Sequence, residues 1–554
     1  MEARNRSLES WFSRLRSKQL TLPRFQRHEA WAPAQVESLL ETVIAALPAG
    51  AVLILEVTGS EKFVSRSLAG APEKGDHVNE QLLDGQQRLT SLWRSLHGDY
   101  PERSYFISLN HEHDQIGSDG YGVVSYARWK KKDKLFPLWC DDPQQCLERG
   151  LIPATLLAPG SASENQAKKW QRQACGDNTD KLIETNDTIN ALRTCVATFN
   201  LPFLSLPSGT DKEVALDVFI KMNTSATPLK PFDIVVAQVE ATAGESLHEL
   251  VEELDKALPS LRTYQDASTL VLSTAALLQG QAPTKATFLE AGFAKSLFKD
   301  WDKIKKGITR CISFFEEEKI FDGKRLPSDI PLYLQSALWA EAPDGLDAEG
   351  KARRILRSAL WRGFASERYE KTSATRAIVD FNALKGFNQA GLESAPLFDY
   401  EQYPLPSNGE LLASGWPVRK ERLARLILAL SLRNGGLDFA DGTPAKRAHL
   451  EHREYHHIFP KNWLENKGYS FHQINRAVNC ALVSWRTNRT ISNKEPARYI
   501  ADRFEASSLD QAEVASRIKS HLLPLEPIKD NDYDRFLDER IDLLQSSLKQ
   551  IIEI

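Results

Sequence analysis

Apolar residues switch between two periods along the first third of the chain. They recur at helical spacing from Val36 to Leu47, which predicts a helix there. AVLILEV, residues 51–57, is a short aliphatic run after Pro48 and Gly50 and reads as a buried strand. A further strand runs to about Leu83, an Asp84-Gly85 turn follows, and Leu89, Leu92, Trp93 and Leu96 then share one face of a helix. Residues 154–181 are polar and rich in small side chains, so a long loop or insertion is expected. The stretch near Phe203 and the segment ALDVFIKMN complete an α/β region ending near Glu240. Beyond it Leu247, Leu250, Val251, Leu254 and Leu258 repeat at helical spacing, and strand signals stay scarce until about Glu370. Residues 386–417, rich in Pro, Gly, Ser and Asn, are expected to be a linker before a helix carrying Leu423, Leu426, Ile427 and Leu430. Leu537, Ile541, Leu544, Leu548 and Ile551 form the apolar stripe of a last helix, expected to pack on its own domain.

At 554 residues the chain exceeds what one hydrophobic core organises. The predicted fold class is α+β multidomain and predominantly helical, with boundaries at 1–240, 241–410 and 411–554. No window approaches the roughly 18 apolar residues of a membrane span. The first twenty residues lack a secretory apolar segment, so a cytoplasmic protein is expected. Six cysteines without C-x-x-C spacing predict free thiols. A net charge of -4 gives no global attraction for a polyanion, so any nucleic-acid contact must be local.

The chemistry concentrates in EYHHIFPKNWL and INRAVNCALVSWRTNRTISNKEPARYI. Adjacent histidines on a short strand point to opposite sides, so His456 and His457 are expected to do different jobs. Phosphodiester hydrolysis needs two things: a base to activate water, which a neutral imidazole suits, and a divalent cation for the developing charge. A histidine pair that is merely structural and a structural zinc site are the bland alternatives. The second lacks cysteine partners at ligand spacing. His449 and His452, close upstream, read as a solvated loop. From Tyr455 to Tyr499 the chain resembles the HNH ββα-metal nucleases. The resemblance places His456 and Asn488 as metal ligands, His457 as general base, Asn479 as the residue that braces the loop and helps orient that base, and Arg489 on DNA phosphate. It implies Mg²⁺ or Mn²⁺.

Asp84, Gly85, Gln86, Gln87 and Arg88 lie between a strand and a helix, where backbone N–H groups and an arginine can meet an anion. A plain turn followed by a surface arginine is the alternative. Together with LPRFQR and FIKMNTSATPL, DGQQRLTSL resembles the ParB-like N-terminal domain of GmrSD-type modification-dependent restriction enzymes. That resemblance implies a nucleotide loop at Asp84 to Arg88 with Gln26 and Arg27 beside it, and a third motif at Asn223. Ala226 stands where the family usually has Gly. The nucleotide would be GTP or ATP. Arg128 to Lys132, RWKKK, pairs an aromatic with cations that could meet DNA, although a solvated loop is favoured.

The expected architecture is therefore a ParB-like α/β sensor, a helical connector and a C-terminal ββα-metal nuclease within a helical domain. The expected function is a type IV-like, modification-dependent DNA endonuclease in anti-phage defence, with NTPase activity and modified phage DNA as substrate. Homo-oligomerisation stays open. The alternatives are a nucleotide-switched DNA-binding scaffold with an inactive HNH region and, ranked last, an unselective nuclease toxin.

Overall fold

The run expected as a buried strand, Val52–Glu56, sits inside a mixed sheet, with Val52 to Leu55 fully buried. In chain order the strands of this part are β1 (Glu2–Arg4), β2 (Leu20–Pro23), β3 (Val52–Glu56), β4 (Ser65–Arg66), β5 (Glu80–Asp84), β6 (Arg103–Ser108), β7 (Gly122–Ala127), β8 (Trp129–Lys131), β9 (Lys134–Phe136), β10 (Leu151–Pro153) and β11 (Phe203–Leu206). The main sheet has the order β1-β11-β3-β5-β2-β4. In it β3 pairs parallel with β11 and antiparallel with β5. A second sheet has the order β10-β6-β7.

The computed structural model describes residues 2–26, 31–75, 77–109, 121–222, 230–243, 245–290, 292–417, 421–506 and 510–554. It divides into two units, Met1–Leu247 and His248–Ile554. The architecture is mixed α/β and about 59% helical. Among the described residues no helix is long and apolar enough to cross a membrane. All six cysteines are free thiols.

In the first unit β5 delivers Asp84 to the helix Gln86–His97, whose buried Leu89, Leu92, Trp93 and Leu96 form the predicted face. Two expectations fail here. The segment 154–181 is not a long loop: it opens on a short 3₁₀ turn, then forms the helix Ser161–Cys175 and begins the helix Thr179–Thr198. Ala167, Trp170, Gln171 and Ala174 are its buried stripe, too short of large aliphatics to stand out among polar neighbours. Nor is RWKKK a loop, although Trp129 to Lys132 are exposed as expected. Trp129 to Lys131 form β8, paired with β9, while Arg128 is buried and bonded to Ser104 and Asp141.

The second unit is helical up to β12 (Arg453–His457), which pairs antiparallel with β13 (Cys480–Ser484) and with it forms a two-stranded sheet. Residues 386–417, expected as a linker, are instead packed. The reason is Arg362, fully buried on the helix Leu346–Ala365, whose guanidinium donates to the carbonyls of Leu397 and Tyr403 and lies over the Tyr400 ring. A buried cation needs acceptors, and this Pro-rich segment supplies them from its backbone. The last helix, Tyr533–Ile552, buries Leu537, Ile541, Leu544, Leu548 and Ile551 as expected. Its Arg540 donates to Val478 O at 2.5 Å, just before β13. Its Tyr533 and Phe536 pack on Phe459, just after β12, at 5.1 and 5.0 Å. The helix thereby clamps the strand pair from both sides of its connection.

Candidate active site

Alternation along β12 divides its side chains between two faces. Glu454 and His456 leave one face and meet Asn488, on the helix Trp485–Ile491 that continues directly from β13. His456 Nδ1 lies 2.7 Å from Asn488 Oδ1, and Asn488 Nδ2 donates to Glu454 Oε2 at 2.7 Å. Tyr499 covers the His456 ring edge-on, leaving the residue 3% exposed with its Nε2 buried and without a hydrogen-bond partner. Burial, reinforced by the neighbouring His457 and opposed by Asn488, lowers the His456 pKa to about 4. At neutral pH it is an uncharged imidazole, the form a metal ligand must take.

His457 leaves the other face. Its Nε2 lies 3.1 Å from Asn475 Oδ1, and its ring stacks on Trp416 with centroids 3.8 Å apart. An amide oxygen only accepts, so Nε2 carries the proton and Nδ1 the lone pair. Burial lowers the pKa of His457, Asn475 opposes this, and Lys461 adds to the lowering. The neutral, proton-accepting form is therefore favoured.

Asn479 is wholly buried. Its Oδ1 accepts from Phe459 N at 2.9 Å, and its Nδ2 donates to the carbonyls of Phe459 and Ile474 at 3.1 and 3.2 Å. The side chain thus ties the chain leaving β12 to Ile474, the neighbour of Asn475. Asp438, also buried, accepts from Ser484 N and Thr487 Oγ1 and so fixes the turn from β13 into the helix that carries Asn488. Arg489 lies exposed on that helix, its guanidinium over the Trp485 ring.

His456 Nδ1 donates to Asn488 Oδ1, so the lone-pair nitrogen of this neutral imidazole is its buried, unpartnered Nε2, and Asn488 adds a carboxamide oxygen. The carboxamide oxygen suits Mg²⁺ or Mn²⁺, which keep several waters and take further oxygens from a substrate phosphate, whereas an imidazole is the commoner ligand of later transition metals. Among the described residues no group of three or more His, Cys, Asp or Glu forms a metal cage.

The second set of predicted residues lies in the first unit. There Gly85 caps the helix Gln86–His97 with φ +93°, and a Cβ on it would meet Val52 Cγ2 at 2.8 Å. Only glycine takes both constraints without strain. Gln86 is buried and Gln87 half-buried. Arg88 bonds the carbonyls of Ala49 and Ala51 at 2.9 and 2.7 Å and lies 3.5 Å from Asp84. Gln26 is buried and donates to the carbonyls of Leu82 and Leu83. Gln26 and Asp84 are thus brought to one end of β5, with side chains that hold the turn itself. Arg27, Asn223 and Ala226 lie outside the described residues.

Asn475, Trp416 and Glu454 were not singled out from the sequence. Glu454 carried a signal, two residues before His456 and hence on the same strand face. Asn475 and Trp416 carried none, because short loops bring them to His457.

Residues 8–240 match the family described as GmrSD restriction endonuclease, N-terminal domain. The chain is also similar to an uncharacterized protein of Methanocaldococcus jannaschii, 23% identical over 589 aligned residues that cover 96% of each chain.

Proposed function

We propose that this chain is a modification-dependent DNA endonuclease that hydrolyses phosphodiester bonds at the histidine–asparagine cluster of its second unit. One observation carries the reading: two adjacent histidines on opposite strand faces, each held by its own asparagine, on a strand pair running directly into a helix. That order of elements and residues is what the HNH ββα-metal resemblance anticipates. The match of residues 8–240 to a restriction endonuclease family supports DNA as the substrate.

His457 Nδ1, the lone-pair nitrogen, takes the proton from a water as it attacks phosphorus. The bond to Asn475 and the stack on Trp416 hold the imidazole for that transfer. His456 and Asn488 would hold a divalent cation, which supplies stabilisation of negative charge on the scissile phosphate and leaving oxygen. Arg489, exposed on the same helix as Asn488, would contact a neighbouring phosphate. In the first unit, we propose that the strand-to-helix turn at Asp84–Arg88 takes the phosphates of GTP or ATP and that this unit senses the DNA mark, as in anti-phage restriction.

The test is nicking of supercoiled plasmid, modified and unmodified, with Mg²⁺ or Mn²⁺ and with or without GTP or ATP. Metal-dependent cutting that His457→Ala loses while keeping its circular dichroism is the expected result. Undiminished cutting by that variant overturns the assignment. Titration calorimetry that finds neither GTP nor ATP bound overturns the nucleotide proposal and leaves the nuclease standing.

A further inference from the structure

Both donors assigned to the cation, an imidazole and a carboxamide, are neutral. A divalent ion held only by them keeps its full charge, whereas Mg²⁺ and Mn²⁺ favour at least one carboxylate among their protein ligands. Strand β12 brings one to the place. Glu454 precedes His456 by two residues, so both side chains leave the same face. Its Oε2 accepts from Asn488 Nδ2 at 2.7 Å, while Asn488 Oδ1 accepts from His456 Nδ1 at the same distance. One carboxamide therefore touches the imidazole on one side and the carboxylate on the other. Glu454 is exposed, unlike His456, so its carboxylate is open to solvent.

We propose that Glu454 is a third protein ligand of the cation and supplies the negative charge that His456 and Asn488 lack. The proposal rests on the nuclease reading above. Its rival is that Glu454 only orients Asn488 through the hydrogen bond. Glu454→Gln separates the two, because a glutamine carbonyl still accepts from Asn488 Nδ2 but carries no charge.

The experiment is Mn²⁺ binding to the full-length chain, followed by electron paramagnetic resonance of free Mn²⁺ and by calorimetry, with no DNA present. The site is identified as the one lost in His456→Ala. Glu454→Gln is expected to weaken that site by about tenfold or more, at an unchanged melting temperature. Wild-type affinity in Glu454→Gln overturns the proposal and makes Glu454 a positioning residue only. If the folded wild type has no Mn²⁺ site sensitive to His456→Ala, both this proposal and the metal-dependent reading fall.

Discussion

Trp416 lies flat against His457, with ring planes inclined by only 13°. The stack fixes the plane of the imidazole, and the bond from Nε2 to Asn475 fixes its rotation within that plane. Removing either constraint leaves a base that is present but loosely aimed. Trp416→Ala and Asn475→Ala are each expected to slow single-turnover nicking by about 10- to 100-fold, with Mn²⁺ affinity unchanged. A Trp416→Ala enzyme that cuts at the wild-type rate would show that the stack has no part in the reaction.

Asn479 acts through the backbone. Its replacement by Ala leaves Phe459 N without an acceptor and two buried carbonyls without their donor. The expected loss is about 2–4 kcal/mol, read as a lower urea midpoint for the second unit. Asn479→Asp should fare little better, since it keeps the acceptor and loses the donor.

Glu318 joins three helices. Its carboxylate accepts from Arg357 at 2.6 Å, Arg433 at 2.8 Å and Trp361 Nε1 at 3.0 Å. Burial alone would raise its pKa, but the bonds from Arg433 and Arg357 outweigh burial and leave it below the usual value. A carboxylate depressed in the folded state stabilises above its unfolded pKa, and that contribution disappears as pH falls through the folded value. Glu318→Gln should therefore lower the melting temperature at pH 7 and have a progressively smaller effect as pH falls below the ordinary value of 4.5, as calorimetry across that range would show.

Acid should act on the second unit by another route as well. His521 is fully buried, bonded through Nε2 to Leu437 O at 2.7 Å, with Nδ1 unpartnered. Burial, aided by Arg453 and Arg540, holds its pKa at about 4, against 6.5 for a free side chain. The unfolded chain takes up this proton below pH 6.5 and the folded chain only near 4. Stability is thus whole above 6.5 and falls progressively towards 4, by at most about 3 kcal/mol from this residue. His521→Gln should flatten the urea midpoint against pH across that window; an unchanged slope would remove His521 from the acid response.

In the first unit, Gly85→Ala forces a Cβ into the left-handed region and against Val52. The expected cost is about 1–3 kcal/mol, seen as a lower melting temperature without nucleotide. An equal loss of stability in the presence of saturating GTP and ATP would argue that the turn is structural alone.

Strand alternation alone separates His456 from His457, as the pairing of β12 shows. Asn488 was brought to His456 by the HNH resemblance and not by any period in the chain. Asn475 and Trp416 reach His457 from loops whose path depends on tertiary packing, and no local spacing encodes that. Composition misled twice in the fold, and for opposite reasons. The helix Ser161–Cys175 hides its apolar stripe in alanines, whereas the Pro-rich segment after residue 386 is held in place by the carbonyls that Arg362 requires.

The five residues of β12 also set a rule for tolerable change. Each step along the strand turns a side chain to the opposite face, so deleting one residue before His456 while keeping the pairing with β13 would not merely displace the histidines. It would exchange their addresses: His457 would be offered to Asn488, and the neighbour of Trp416 would become Ile458. Substitutions along this strand can be conservative, but a change in its length by an odd number cannot.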